Sequence, residues 1–351
     1  MSSTSSSRNT APQSPLSRIL ESGSGRNHKI VVRPGARSIF VAFGTDAPNG
    51  TDTPGPASVV RFDDPDGAFG KGVPGFIESL DSLFCWLRGL GTELPVHLVG
   101  EGAGATVALL ANMLLPKSRL LAIGPLTVPE SFMEAGALRH PFWGQVDQLA
   151  SDFPAQQMGV TALCSWDPAA AAMLGHEQTL KPAYGTIVEL PCRSNGIAYL
   201  RRKRALGVLL ERGADALRTL IDENVVSLPY AHGKPREYAA FHEAHSAMGR
   251  GQSGRKRAMR LVEAEAGWAN PGWQHLRATV LRRENAAAEA LQAARLAARS
   301  APEVAEFCVG YARLVQENKA EDDVVTAAAM LEPFLRQRGI AELRDSLAAV
   351  I

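Results

Sequence analysis

The sequence predicts an α/β domain built on a doubly wound, mostly parallel sheet, followed by an all-α region of helical repeats. Three observations carry that prediction. Short, near-continuous apolar runs alternate with helical stretches from residue 28 to residue 213, as expected when helices cover both faces of a parallel sheet. One of those runs ends in a turn of glycine and alanine that opens directly into a helix, Gly100-Glu101-Gly102-Ala103-Gly104. Beyond Arg212 the strand-like runs stop, and alanine-rich helical periodicity takes over.

Each element follows from local chemistry. Residues 1–27 are rich in Ser, Pro and Gly, lack periodicity and are expected to be a disordered tail with no signal-peptide core. Order is expected from His28. Lys29–Arg33 and Ser38–Phe43 are β-branched and aromatic runs around Pro34-Gly35, read as two strands joined by a turn. A Gly/Pro/Thr/Asp loop runs from Gly44 to Pro56, and Ser58–Phe62 is the next strand. Phe76, Ile77, Leu80, Leu83, Phe84 and Leu87 recur at helical spacing and predict an amphipathic helix over 73–90. Val96–Val99 and Ala103–Leu115 are the strand and helix around the glycine turn; Arg119–Ile123, Gly159–Cys164 and Thr186–Leu190 are the remaining strands. The segment 128–157 reads as an irregular helical excursion, 168–174 as a short helix and Gly196–Arg212 as a single basic helix. The α/β domain thus spans 28–213, and residues 214–231 form a linker or helix.

From 232 to 351 the chain reads as helical repeats. Ala258 and Ala290 hold similar places in two helices, and Pro271 and Pro302 follow them, so the period is 31–32 residues. Trp273 and Leu276, then Ala290, Ala294, Ala297 and Pro302, resemble the tetratricopeptide pattern, with Arg277 and Val280 departing from it. Three helix pairs fit 232–338, with Ala341–Val350 as a capping helix. Such repeats imply a protein partner bound on their surface.

Composition narrows the function. Hydrophobic residues at 45% suffice for a packed core, and a formal charge of +1 argues against a general nucleic-acid or membrane-surface role. The basic runs Arg201-Arg202-Lys203-Arg204 and Arg255-Lys256-Arg257 read as solvated helix faces. Cys85, Cys164, Cys192 and Cys308 are widely spaced with no CxxC pair, which predicts free thiols in a reducing compartment, without disulfides or zinc. No apolar run reaches the roughly 18 residues that span a bilayer, so a cytoplasmic location is expected.

The glycine turn has the layout of a nucleophile elbow, Gly-x-Ser-x-Gly. Its outer glycines are Gly100 and Gly104; the nucleophile's place is held by Gly102, which has no oxygen. Asp167 follows strand 159–164, where the triad acid belongs. After strand 186–190 no histidine occurs, and Asn195 or Ser194 fills its place; neither takes a proton as imidazole does. Two of the three catalytic groups are therefore missing at independent points. The backbone of an oxyanion site remains, with Ala103 after the elbow and the Gly44-Thr45 loop as donors and Glu101 alongside. That predicts an anionic or saccharide small-molecule ligand, held without turnover and without a cofactor or metal.

Val60-Arg61-Phe62-Asp63-Asp64-Pro65-Asp66, the elbow helix and Leu121-Ala122-Ile123-Gly124-Pro125 resemble bacterial α/β-hydrolase-like proteins linked to surface polysaccharide production and export. The similarity covers residues 36–212 and implies that fold. Two functions follow: an inactive hydrolase-like protein that binds or scaffolds through its repeats, or an active esterase or acyltransferase with a non-standard nucleophile. Weaker candidates are Glu101 as a base, His97 and His176 as core or surface histidines, His242 and His245 as a helical pair lacking a third metal ligand, and Cys164 as a structural thiol.

Overall fold

The structure is a computed structural model and describes residues 28–31, 35–44, 57–62, 80–91, 94–115, 117–125, 159–168, 170–171, 185–193, 195–228, 235–265, 270–337 and 339–348. The tail 1–27, the excursion 128–157 and the first turns of the 73–90 helix lie outside these residues.

Seven strands form one sheet: β1 (His28–Val31), β2 (Ser38–Phe43), β3 (Ala57–Phe62), β4 (Val96–Glu101), β5 (Arg119–Ile123), β6 (Gly159–Cys164) and β7 (Thr186–Leu190). Their order is β1-β3-β2-β4-β5-β6-β7. Every neighbouring pair is parallel except β1 with β3. The turn expected between the first two runs does not make them partners. The edges of β2 are taken by β3 and β4, so β1 crosses to the outer edge of β3 and runs antiparallel there.

Alternation along each strand divides the core in two. Ile39, Val41, Leu98, Leu120 and Ala122 face α1 (Leu80–Gly91) and α2 (Ala103–Leu114), through Leu83, Leu87, Leu90, Ala105 and Leu109. Phe40, Val99, Leu121, Ile123, Ala162 and Val188 face the other way, onto α3 (Gly196–Arg202), α4 (Leu206–Arg212) and α5 (Leu217–Asp222). The parallel sheet with helices on both faces is α/β-hydrolase-like.

The single basic helix expected over 196–212 is two helices. Arg204 takes a left-handed conformation (φ 57°), and the amide of Ala205 closes back on the Leu200 carbonyl (2.8 Å). The bend lets Leu200 from one helix and Leu206 and Leu209 from the next all reach the core, leaving Lys203 and Arg204 exposed at the corner. Past α5, Ser227 pairs antiparallel with Glu189 of β7, so the chain there returns to the edge of the last strand.

The remaining helices are α6 (Pro235–Met248), α7 (Gly251–Glu265), α8 (Pro271–Arg283), α9 (Ala287–Ser300), α10 (Ala305–Asn318), α11 (Glu321–Leu331) and α12 (Ile340–Leu347). Three pairs and a capping helix therefore stand where the repeats were expected. First helices begin at 235, 271 and 305 and second helices at 251, 287 and 321, so the unit recurs every 34–36 residues, longer than the period suggested by isolated alanines and prolines. Local chemistry sets the boundaries. Asn270 caps α8, its side-chain oxygen accepting from the Gly272 amide (2.9 Å), and Pro271 occupies the first helical position. Across the repeats, buried Asp323 accepts from the Tyr311 hydroxyl (2.6 Å) and from Arg295, clipping α9, α10 and α11 together. Among the described residues no helix is long and apolar enough to cross a membrane.

Candidate functional site: a glycine elbow

β4 delivers the chain to the elbow, and α2 leaves it at once. Gly102 sits at φ 59°, ψ −126°, a conformation strained for any residue with a side chain, and its amide donates to the Ile123 carbonyl (2.9 Å). The flanking glycines are sterically required. A Cβ on Gly100 would lie 2.3 Å from the Gly104 carbonyl oxygen, and one on Gly104 would lie 2.3 Å from the Phe43 carbonyl oxygen. A Cβ on Gly102 would meet nothing within 4 Å. The bend is built to carry a side chain outward, and the residue there has none.

Glu101 points inward. Its Oε1 accepts from the Gly196 amide (2.5 Å) at the start of α3, so its carboxylate ties the elbow to the segment after β7. Ala103 opens α2, which leaves its amide at the positive end of that helix. Gly44 abuts the elbow, its Cβ position 3.7 Å from the Glu101 carbonyl, but its amide is already given to the Phe62 carbonyl (3.0 Å). Gly44 is therefore not a second oxyanion donor. Thr45 and Ser194 lie outside the described residues.

Asp167 stands in the turn after β6, its amide on the Cys164 carbonyl (3.0 Å). Asn195 does not replace a histidine functionally. It is left-handed (φ 53°), and its side-chain oxygen accepts from the Ala198 amide (3.0 Å), capping its own helix. The Cys164 thiol is held from ionising: contact with the Cys192 thiol (3.4 Å), burial and the carboxylates of Glu101 and Asp167 keep its pKa well above the usual thiol value. His97 is half-buried and stacked on Phe40, and burial, then Arg119, lowers its pKa to about 4. His176 lies outside the described residues. His242 meets the Pro168 carbonyl through Nδ1 (3.1 Å), and among the described residues no group of three His, Cys, Asp or Glu side chains is placed to hold a metal.

The helical pairs sit on the loops that leave β6 and β7, a contact sequence reasoning missed. Trp166, beside Asp167, packs on Gly272, where a Cβ would lie 2.2 Å from the indole Cδ1, and on Phe307 at 5.2 Å between ring centroids. Arg193, after β7, donates through Nη1 to His275 Nε2 (2.5 Å). Burial, then Arg193 and His245, lowers the His275 pKa to about 3, so this imidazole stays neutral with its accepting nitrogen already occupied. Arg202 donates to the Glu303 carbonyl (2.6 Å) and lies over the Phe334 ring at 5.1 Å. A cavity of ≈ 20 Å³ remains between Trp166, Arg193, His245 and His275, enough for one water. In open α/β sheets ligands bind outside the carboxyl ends of the strands, and here helices cover that rim at β6 and β7. The signal available in sequence was Gly272 next to a helix-capping Asn-Pro, but its Trp partner is more than a hundred residues away.

No family model matches the chain, and no curated protein matches it. Among solved structures it is similar to the hyperthermophilic esterase of the archaeon Pyrobaculum calidifontis, at 12% identity and a TM-score of 0.28, over 60% of this chain and 91% of that one. A monoclinic form of the Pyrobaculum calidifontis esterase gives 12% identity and a TM-score of 0.29, over 60% and 90%. The α/β-hydrolase-like character rests on the strand order and the elbow.

Proposed function

We propose that this chain is a catalytically inactive α/β-hydrolase-like protein that acts as a binding or scaffolding module through its helical repeats, which we read as tetratricopeptide-like. One observation carries the reading: Gly102 has the backbone of a presented nucleophile (φ 59°, ψ −126°) and no atom with which to attack. The neighbouring groups support it. Asn195 is engaged in capping, Cys164 is buried with a raised pKa, and His275 is held by Arg193. The resemblance of residues 36–212 to polysaccharide-associated hydrolase-like proteins sets the pathway we propose, surface polysaccharide production or export. The open space above Gly102, with the Ala103 amide, is the proposed seat of an anionic or saccharide ligand.

The test is direct. Purified full-length protein is expected to leave p-nitrophenyl esters intact and to take no label from a serine-directed fluorophosphonate. Stoichiometric labelling, or turnover that survives further purification, would establish an active enzyme and remove the reading.

A further inference from the structure

A concave site lies among the helical pairs, away from the elbow. A cleft of ≈ 400 Å³ opens between α6 and α7, where Gly254 allows close approach: a Cβ there would lie 2.1 Å from the Ala247 carbonyl oxygen. Ser253, Arg257 and Arg260 share one side of α7 at i, i+4 and i+7, Arg250 stands at the turn, and Glu243 and Ser246 line the α6 side. Glu243 is paired with Arg257 (2.6 Å). Arg250 and Arg260 are exposed and have no carboxylate partner among the described residues. Three guanidinium groups thus face one carboxylate, leaving two positive charges at a concave surface of the size that small ligands occupy.

We propose that this cleft binds a phosphomonoester, the dianionic phosphate meeting Arg250 and Arg260 and its organic group filling the rest. The residue chemistry selects the ligand. Planar guanidinium forks match phosphate oxygens in pairs, and a dianion neutralises the local excess where a carboxylate monoanion leaves half of it. The Ser253 hydroxyl suits a phosphate oxygen or a sugar hydroxyl. The site is independent of the elbow, and the fluorophosphonate experiment does not bear on it.

Calorimetric titration of the full chain with glucose 6-phosphate and with inorganic phosphate tests the proposal, alongside flotation with vesicles containing phosphatidic acid. Saturable binding is expected, weakened about tenfold or more in the Arg250→Ala, Arg260→Ala double variant, since a charge-assisted hydrogen bond contributes on that scale. Glu243→Gln releases Arg257 and is expected to tighten binding. Arg218→Ala, an exposed arginine on α5, is expected to change nothing. Arginine-dependent binding to the vesicles alone would assign the phosphate to a lipid headgroup. Absence of binding to all three probes, or equal affinity in the double variant with its melting curve unchanged, would overturn the proposal.

Discussion

Replacing each elbow glycine by alanine separates two kinds of constraint. At position 102 the methyl group meets open space, and the cost is only the strained backbone (φ 59°), about 1–3 kcal/mol. At position 104 the methyl carbon would stand 2.3 Å from the Phe43 carbonyl oxygen and 2.7 Å from its carbon. Both are main-chain atoms of β2, which cannot rotate away, so α2 must lift off the sheet or β2 must shift against β4. Position 100 is as tight, 2.3 Å from the Gly104 carbonyl oxygen within the turn itself. Moving well-packed backbone costs more than the typical overpacking figure of about 1–3 kcal/mol. Gly100→Ala and Gly104→Ala are therefore expected to exceed Gly102→Ala by about 2 kcal/mol or more, or to fail to fold. Urea unfolding of the full chain, followed by far-UV circular dichroism, reads the difference. Parent-like stability in Gly104→Ala, or a Gly102→Ala variant as unstable as Gly104→Ala, would refute this account of the elbow.

Three further outcomes are expected. His275, His245 and His97, lowered from 6.5 to about 3, about 4 and about 4 chiefly by burial, refuse protons that the unfolded chain takes up below pH 6.5. Stability should then be flat above pH 7 and fall as pH drops from 6.5 toward 4, by about 1.4 kcal/mol per unit for each withheld proton; His275→Gln should flatten that slope in pH-dependent melts. A thiol titration of the native protein should find about one reactive group of the four cysteines, because Cys85 is exposed while Cys164, Cys192 and Cys308 are buried; denaturant should release the rest. Gly272→Ala should expel the Trp166 ring and lower stability by about 1–3 kcal/mol, with an unchanged urea midpoint as the contrary result.

The strands were legible because each is an apolar run bounded by glycine, proline or polar residues. Ser38–Phe43, Arg119–Ile123, Gly159–Cys164 and Thr186–Leu190 begin and end where the pattern put them. The elbow was legible for the same reason, since its outer glycines answer a local steric demand. Long-range contacts left no such mark. The pairing of β1 with β3, the Cys164–Cys192 contact and the Arg193–His275 bond join residues that no periodicity connects. The break at Arg204 was hidden because a left-handed arginine is selected by tertiary packing rather than by propensity. That the Gly44 amide serves the Phe62 carbonyl is likewise visible only in the folded chain.

The wedge of Trp166 against Gly272 has a mechanical consequence. An enzyme of this architecture needs its strand-end loops free to open for a substrate. Here the same loops are occupied: Trp166 after β6 lies against Gly272 and Phe307, and Arg193 after β7 holds His275. A molecule that binds the helices at Gly272 or His275 therefore also meets Trp166 and Arg193, at the ends of the last two strands.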